Sequence, residues 1–356
     1  MINSKELITA IKQVSKLTSQ RQTMPILNYI KLSWSNDSAI IEATDLSNYA
    51  YLKIGKVESW DNACFDLACV EPKILIEAIG NSEEISFTRN EAELSLSNGS
   101  ELPCILASEW PANPCYGSSG AISITLPNKH TLDSLLVVSS KDESRYNLCG
   151  ACFNLETLEV ASTDGHRLYI APLSGKSNKV GQRLVSNLTL KLMVNLIEQS
   201  TGELIFSTDL PGTVTMPLSN GYLSARLIDG QFPDYRQAIK TGKNTILGIN
   251  PKALGKTLAP MAKRVKKPGI VPATLTLSDH DLIIEQSLPD KGTMKAQSNG
   301  IKVSKPITLG ICPKYLHDAL FTMQGEVTAR YRDDLGPIEL SDTHNNKHIV
   351  MPMRLK

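Results

Sequence analysis

The sequence predicts an α+β protein made of three copies of one unit, each with two helices packed on an antiparallel sheet. Three observations carry that expectation. Asn3, Leu7 and Ile11 recur as Asn128, Leu132 and Leu136, and again as Asn250, Leu254 and Leu258. Asparagine caps helix N-termini and apolar residues four apart share a helical face, so each copy opens an amphipathic helix. Pro72-Lys73-x-Leu75-x-x-Ala78-Ile79 returns as Pro313-Lys314-x-Leu316-x-x-Ala319-Leu320, with a looser middle copy at Leu190-Lys191-x-Met193-x-x-Leu196-Ile197. Leu96-Ser97-Asn98-Gly99 returns as Leu218-Ser219-Asn220-Gly221, and an aromatic-proline pair, Trp110-Pro111 or Phe232-Pro233, follows each at the same distance. Asn-Gly between apolar runs is a hairpin signal.

The repeat divides the chain into domains at 1–120, 121–243 and 244–356, each within the usual size of a domain. Helices are expected over 5–16, 71–79, 129–145, 191–198, 252–267 and 314–318. Between them, runs such as Glu93-Leu94-Ser95-Leu96 and Thr274-Leu275-Thr276-Leu277 alternate with the period of half-buried strands. Each unit thus reads helix, strands, helix, strands, with both helices on one face of the sheet.

Composition narrows the function. No run of 18 apolar residues occurs in the 356, and Met1 to Lys5 leads into a polar amphipathic helix instead of an apolar signal core, so a soluble cytoplasmic protein with no membrane partner is expected. Seven cysteines, an odd number in a chain this long, read as reduced thiols. Cys149-Gly150-Ala151-Cys152 has redox or zinc spacing, but the apolar run from Leu148 to Leu155 reads as a strand, where residues three apart point to opposite faces. No second pair completes a site, so no metal and no cofactor is expected.

Net charge is only +1, yet the six expected helices hold 15 basic and 8 acidic residues, a surplus of +7 balanced by −6 elsewhere. A polyanion would meet the helix layer. Lysine and arginine also favour solvated helix faces, and Lys263, Arg264, Lys266 and Lys267 alone supply four charges, so charge by itself leaves both readings open. Geometry adds a constraint. Six helices lining a ring at about 9 Å between axes leave a bore of only about 7 Å, whereas twelve leave about 24 Å, just wider than a duplex of about 20 Å. A ring around DNA would therefore be a dimer of this chain.

Four further motifs lie in register with the repeat: Arg145-Tyr146-x-Leu148-x-Gly150, Ser162-Thr163-Asp164-Gly165-His166-Arg167-Leu168, Asp229-Gly230-Gln231-Phe232-Pro233-Asp234-Tyr235-Arg236, and Val350-Met351-Pro352-Met353-Arg354-Leu355. With Met24-Pro25-Ile26-Leu27 and Ala43-Thr44-Asp45-Leu46, they resemble the bacterial DNA polymerase III β subunit, the sliding clamp, over essentially the whole chain. The resemblance implies a DNA-clamp fold in a six-domain homodimeric ring. It implies a non-catalytic processivity factor that encircles duplex DNA without sequence preference and tethers DNA polymerase, the clamp loader and other proteins bearing a clamp-binding motif. It also implies a hydrophobic peptide-binding pocket between the second and third domains, at Leu148, Thr163, Gly165, His166, Leu168, Pro233, Tyr315, Val350, Met351, Pro352, Met353 and Arg354. The residues agree, since a Met-Pro-Met tail is adaptable apolar surface and Asp164-Gly165 is a turn signal. The alternative to the pocket is that Met351 and Met353 close the core of the last strand.

For DNA, the candidates are Lys12, Lys16, Arg21, Lys73, Lys191, Lys252, Lys256 and Lys314; Arg21 matches a position of the resembled family and the others are argued from helix placement. The chain departs from the family pattern at Gln237 and Ala238 beside the pocket, at Lys356, which lengthens the tail, and at Lys263 to Lys267, where the family presents aliphatic residues to the dimer partner. An enzyme reading would use His166 near Asp164 with Cys149 or Cys152 as nucleophile, but no glycine-rich phosphate loop or ligand cluster accompanies it. A clamp-like adaptor from a phage or plasmid, binding peptides but loading poorly on DNA, is the alternative function.

Overall fold

The computed structural model describes residues 1–18, 24–34, 38–55, 65–90, 93–113, 120–177, 181–209, 212–237, 239, 242–264, 272–288 and 291–355. Its helices are α1 (Ser4–Val14), α2 (Pro72–Ile79), α3 (Lys129–Val138), α4 (Asn187–Leu196), α5 (Pro251–Lys263) and α6 (Pro313–Phe321). The three repeated asparagines are the N-caps of α1, α3 and α5. Asn3 Oδ1 accepts from the N–H groups of Lys5 and Glu6 at 3.0 and 3.2 Å, Asn128 from Thr131 at 2.9 Å, and Asn250 from Ala253 at 3.0 Å. Of the repeated apolar positions Leu7, Ile11, Leu132, Leu254 and Leu258 are buried, and Leu136 is half-buried.

The second helices differ for a local reason. Proline keeps the residue before it out of the helical region, and α2 and α6 start at Pro72 and Pro313. The middle copy has Leu190 in that place, and α4 begins three residues earlier, at Asn187. Helix α3 ends at Val138, short of the expected 145. Ser139 turns out of the helix and its hydroxyl donates to Asn187 Oδ1 at 2.6 Å, while Asp142 caps a separate 3₁₀ turn, Glu143–Leu148. Helix α5 ends at Lys263, and Val265 to Lys267 lie outside the described residues. Counted over these bounds, nine lysines stand against four acidic residues, so the helix surplus is smaller than the sequence suggested.

The chain folds as two compact units, each drawing on two of the sequence repeats. In the first, Met1–Leu126 with Leu188–Ile228, an eight-stranded antiparallel sheet runs in the order Ala121–Thr125, Glu203–Ser207, Thr213–Leu218, Gly221–Arg226, Asn48–Gly55, Ser38–Thr44, Ile30–Trp34, Phe65–Val70. The repeats join where Gly221–Arg226 pairs with Asn48–Gly55. A Cβ on Gly221 would stand 1.9 Å from the Tyr51 carbonyl oxygen, so this closest approach of two strands requires glycine. A three-stranded sheet, Phe87–Asn90, Glu93–Leu96, Glu101–Pro103, stands apart in this unit. Both Asn-Gly hairpins form. Gly99 takes φ +88° in its turn, whereas Gly221 is already the first residue of its strand.

The second unit, Pro127–Asn187 with Asp229–Lys356, contains a nine-stranded sheet ordered Gln182–Ser186, Gly150–Asn154, Glu159–Thr163, Arg167–Pro172, Lys347–Val350, Ile338–Ser341, Val327–Tyr331, Asn244–Ile249, Lys302–Val303. Here the join is Arg167–Pro172 against Lys347–Val350. A four-stranded sheet follows the order Gly292–Asn299, Asp281–Leu288, Ala273–Leu277, Ile307–Ile311. Leu254, Leu258, Met261, Leu316 and Leu320 of α5 and α6 pack against these strands in one apolar core.

The two joined sheets share one plan. In the first, four strands of one repeat meet four of the next, and in the second four meet five; each junction uses the strand that follows a Thr-Asp turn. The three-stranded sheet of the first unit and the four-stranded sheet of the second are the sets left over. Their corresponding edges, Glu101–Pro103 and Gly292–Asn299, have no further strand beside them among the described residues.

Candidate functional site

The turn from Thr163 to Arg167 is fixed by its own side chains. Thr163 donates its hydroxyl to the Arg167 carbonyl at 2.6 Å and accepts from the Gly165 N–H at 3.0 Å. Asp164 Oδ1 accepts from the N–H groups of His166 and Arg167 at 2.9 and 3.1 Å. Gly165 supplies the left-handed backbone, φ +91°, that the turn needs. The first unit repeats the network bond for bond at Thr44, Asp45, Leu46, Ser47 and Asn48, with Leu46 at φ +71° in place of glycine.

What distinguishes the second turn is Arg167, whose side chain is only 9% exposed. Its guanidinium meets Asp164 at 2.9 Å and Asp318 of α6 at 2.7 Å, donates to the Val137 carbonyl at the end of α3 at 2.7 Å, and lies 4.5 Å from the centre of the Tyr315 ring. One cation therefore ties the turn to two helices and an aromatic wall. Burial would raise the Asp318 carboxyl, but the hydrogen bonds from Lys314 and Arg167 outweigh it and hold the group below its ordinary range. Behind the network, burial first and the Arg167 charge second push the His348 imidazole down to about 3, so it is a neutral partner for Thr322 Oγ1 at 2.8 Å.

Most of the expected pocket residues converge on this turn. The His166 ring stacks on Tyr315 at 6.3 Å between centroids, and the His166 carbonyl accepts from the Met351 N–H at 3.0 Å. The tail then crosses to Gly310, whose carbonyl accepts from the Met353 N–H at 2.9 Å. Thr163, Leu148, Leu168 and Val350 are buried beneath this surface. His166, Met351 and Arg354 are exposed, while Tyr315, Pro352 and Met353 are half-buried. Pro233 is exposed on a loop held by Asn147, which donates to the Gln231 carbonyl at 2.9 Å. Burial raises the Tyr315 hydroxyl to about 12, leaving it a neutral donor. The Gln237 side chain and Ala238 lie outside the described residues, and so does Lys356.

The cysteine pair has no comparable arrangement. Cys152 is buried in its strand, which raises the thiol to about 12; Cys149 sits at the end of the 3₁₀ turn instead of in the strand, its thiol also raised by burial and by the nearby Asp142 and Glu143. Neither is an activated nucleophile. Among the described residues no cluster of His, Cys, Asp and Glu has the make-up of a metal site, and no helix is long and apolar enough to cross a membrane.

Lys12, Lys73, Lys191, Lys252, Lys256 and Lys314 are all exposed on helices, Lys16 is exposed just beyond α1, and Arg21 lies outside the described residues. Lys314 also pairs with Asp318 at 2.8 Å. Sequence reasoning missed Lys129 and Lys5. With Lys73, Lys252 and Lys314 they occupy the first or second residue of five of the six helices. A cation there opposes the helix dipole at a cost of about 0.3–1 kcal/mol, which a polyanion would relieve. Arg264 is half-buried and donates to the Gly292 carbonyl at 3.0 Å, at the start of a strand that is an edge among the described residues. Arg167 and Asp318 were also missed as a pair; the substitution of Arg167 for Asn48 between the two Thr-Asp turns was the visible signal.

The comparisons agree over the whole chain. Sequence profiles of the DNA polymerase III β subunit match residues 1–108 as its N-terminal domain and 127–234 as its central domain. The beta sliding clamp of Caulobacter vibrioides is 25% identical over 98% of both chains, and that of Escherichia coli 22% identical over 99% of both. Among solved structures, a DnaN sliding clamp from Pseudomonas aeruginosa bound to griselimycin is similar with a TM-score of 0.85 at 19% identity, covering 99% of this chain and 98% of that one. The β subunit of Thermotoga maritima gives 0.82 at 20%, covering 100% and 99%. Two profiles that together span more than half of the residues, with solved structures of the same fold over nearly the whole chain, place this chain in the family of the DNA polymerase III β subunit, the bacterial sliding clamp.

Proposed function

We propose that the chain, as three domains at 1–120, 121–243 and 244–356, assembles into a homodimeric ring. The ring encircles duplex DNA and holds DNA polymerase on it as a processivity factor, without chemistry of its own. The observation that carries this reading is the pair of leftover sheets. Two junctions in the chain join a strand set of one repeat to a strand set of the next, antiparallel, through corresponding edge strands. The same rule applied between chains pairs Gly292–Asn299 of one protomer with Glu101–Pro103 of the other. Applied twice it closes a head-to-tail ring and covers both of these edges.

The lysines at the helix starts supply weak, sequence-independent attraction to phosphates, which permits sliding. The surface built by His166, Tyr315, Met351, Pro352 and Met353 accepts short peptides from polymerase, clamp loader and other clamp-binding proteins, working in the cytoplasm where the DNA is. Its half-buried aromatic and thioether groups suit several apolar anchors. Light scattering at several micromolar concentrations tests the assembly. A constant mass of twice 38.9 kDa is expected, and a monomer throughout would refute the ring.

A further inference from the structure

Helix α6 presents an aromatic pair that encirclement does not require. Lys314, His317 and Phe321 are spaced three and four apart on one helical face, while Leu316, Ala319 and Leu320 are buried on the other. Phe321 is 77% exposed, more than any other large apolar side chain among the described residues. The His317 ring lies nearly parallel beside it, with 6.2 Å between centroids and 14° between planes. The backbone beneath is held firmly. Thr322, the next residue, contacts His348 Nε2 through its hydroxyl at 2.8 Å and His130 Nε2 through its carbonyl. Helix α5 packs alongside at Gly255, and Lys252, Lys256 and Lys263 are exposed on it.

An exposed phenylalanine backed by a half-buried imidazole, on a lysine-bearing helix layer, matches one ligand chemistry. Every nucleobase has a flat π-face, so stacking is sequence-tolerant, and the lysines attract the phosphates. Bases inside a duplex are already stacked on each other and offer no face. We propose that His317 and Phe321 form a platform on which an unpaired base of single-stranded DNA stacks, with the lysines of α5 and α6 following its backbone. This goes beyond the clamp reading, because a ring needs no base contact and this contact needs no ring.

Anisotropy of a labelled thymidine oligonucleotide, a duplex of equal length and an abasic strand of equal length, each titrated with the full-length protein at low salt, tests the proposal. Phe321→Ala should weaken oligothymidine binding by about fivefold to a hundredfold, with duplex binding and melting temperature unchanged because the ring is exposed. Phe321→Trp should bind at least as well as wild type, and wild type should bind the abasic strand as weakly as Phe321→Ala binds oligothymidine. Equal oligothymidine affinity in wild type and Phe321→Ala, or equal affinity of wild type for abasic and thymidine strands, would overturn it. So would a Phe321→Ala variant that loses a clamp-binding peptide and keeps oligothymidine. Retention on circular DNA reads the clamp proposal separately, and there Phe321→Ala should behave as wild type.

Discussion

Replacing Arg167 by alanine should damage both the stability of the second unit and the peptide surface proposed on it. The change strands Asp164 and Asp318 and the Val137 carbonyl, which lie 2.7–2.9 Å from the guanidinium. Removing one partner of a buried ion pair costs about 3–5 kcal/mol. Asp318 keeps Lys314 at 2.8 Å and Asp164 keeps its backbone donors, which places the loss near about 3 kcal/mol, with about 0.5–1 kcal/mol more for the contact with Tyr315. For a unit of this size that is a fall in melting temperature of about 10 °C. Arg167→Lys should recover only part of it, because one ammonium cannot serve three directions. Calorimetric melting alongside titration of a clamp-binding peptide checks both effects, and peptide affinity should fall about tenfold as Tyr315 loses its support. An Arg167→Ala protein with unchanged melting and unchanged peptide affinity would refute the reasoning. The linkage is also signed. Asp318 has a depressed folded value, so its contribution is complete above the ordinary carboxylate range of about 4 and is lost as pH falls through the folded value; Asp318→Asn should flatten that acid limb.

The His348 imidazole is held neutral down to about 3, below its unfolded value, so stability should be complete above about pH 6.5 and fall by up to about 1.4 kcal/mol per unit as pH drops toward 3. Urea midpoints across pH should show a shallower slope for His348→Gln; an identical slope would contradict the assignment. Gly310→Ala would place a Cβ 2.2 Å from the Met353 carbonyl oxygen, so it should displace the tail and lower peptide affinity at least tenfold in calorimetry. Met351→Ala with Met353→Ala, leaving the tail's backbone bonds in place, should weaken peptides by about 1–3 kcal/mol in total with the dimer intact; lost folding stability at unchanged affinity would instead make these methionines core.

Features governed by residues close in sequence were legible. The three asparagine caps and both Asn-Gly hairpins form because a cap or a turn is decided within four residues. The end of α3 was misjudged because Ser139 is drawn to Asn187, 48 positions away. Arg167 and Asp318 are 151 positions apart, and no local period announces such a pair. The pocket residues were placed through motif resemblance, and the turn, the tail and Tyr315 do come together. Which of them stay exposed depends on cross-strand pairing that buries Leu168 against Ile349, a register no single strand encodes. The helix starts near 72, 129, 251 and 313 were expected within a residue, yet Lys5 and Lys129 were passed over because the sequence reading weighed charge by helix and not by position along it.

Topology and affinity part most directly on a circle. A protein held by phosphate contacts dissociates as salt rises, whereas a closed ring on circular DNA has no end to leave from. After loading onto nicked circular DNA by a matching clamp loader with ATP, this protein should survive a high-salt wash and be released when the circle is cut once. Lys252→Glu with Lys256→Glu should slow loading and barely change retention once closed. Equally poor retention on circular and linear DNA, with a steep salt dependence on both, would contradict encirclement.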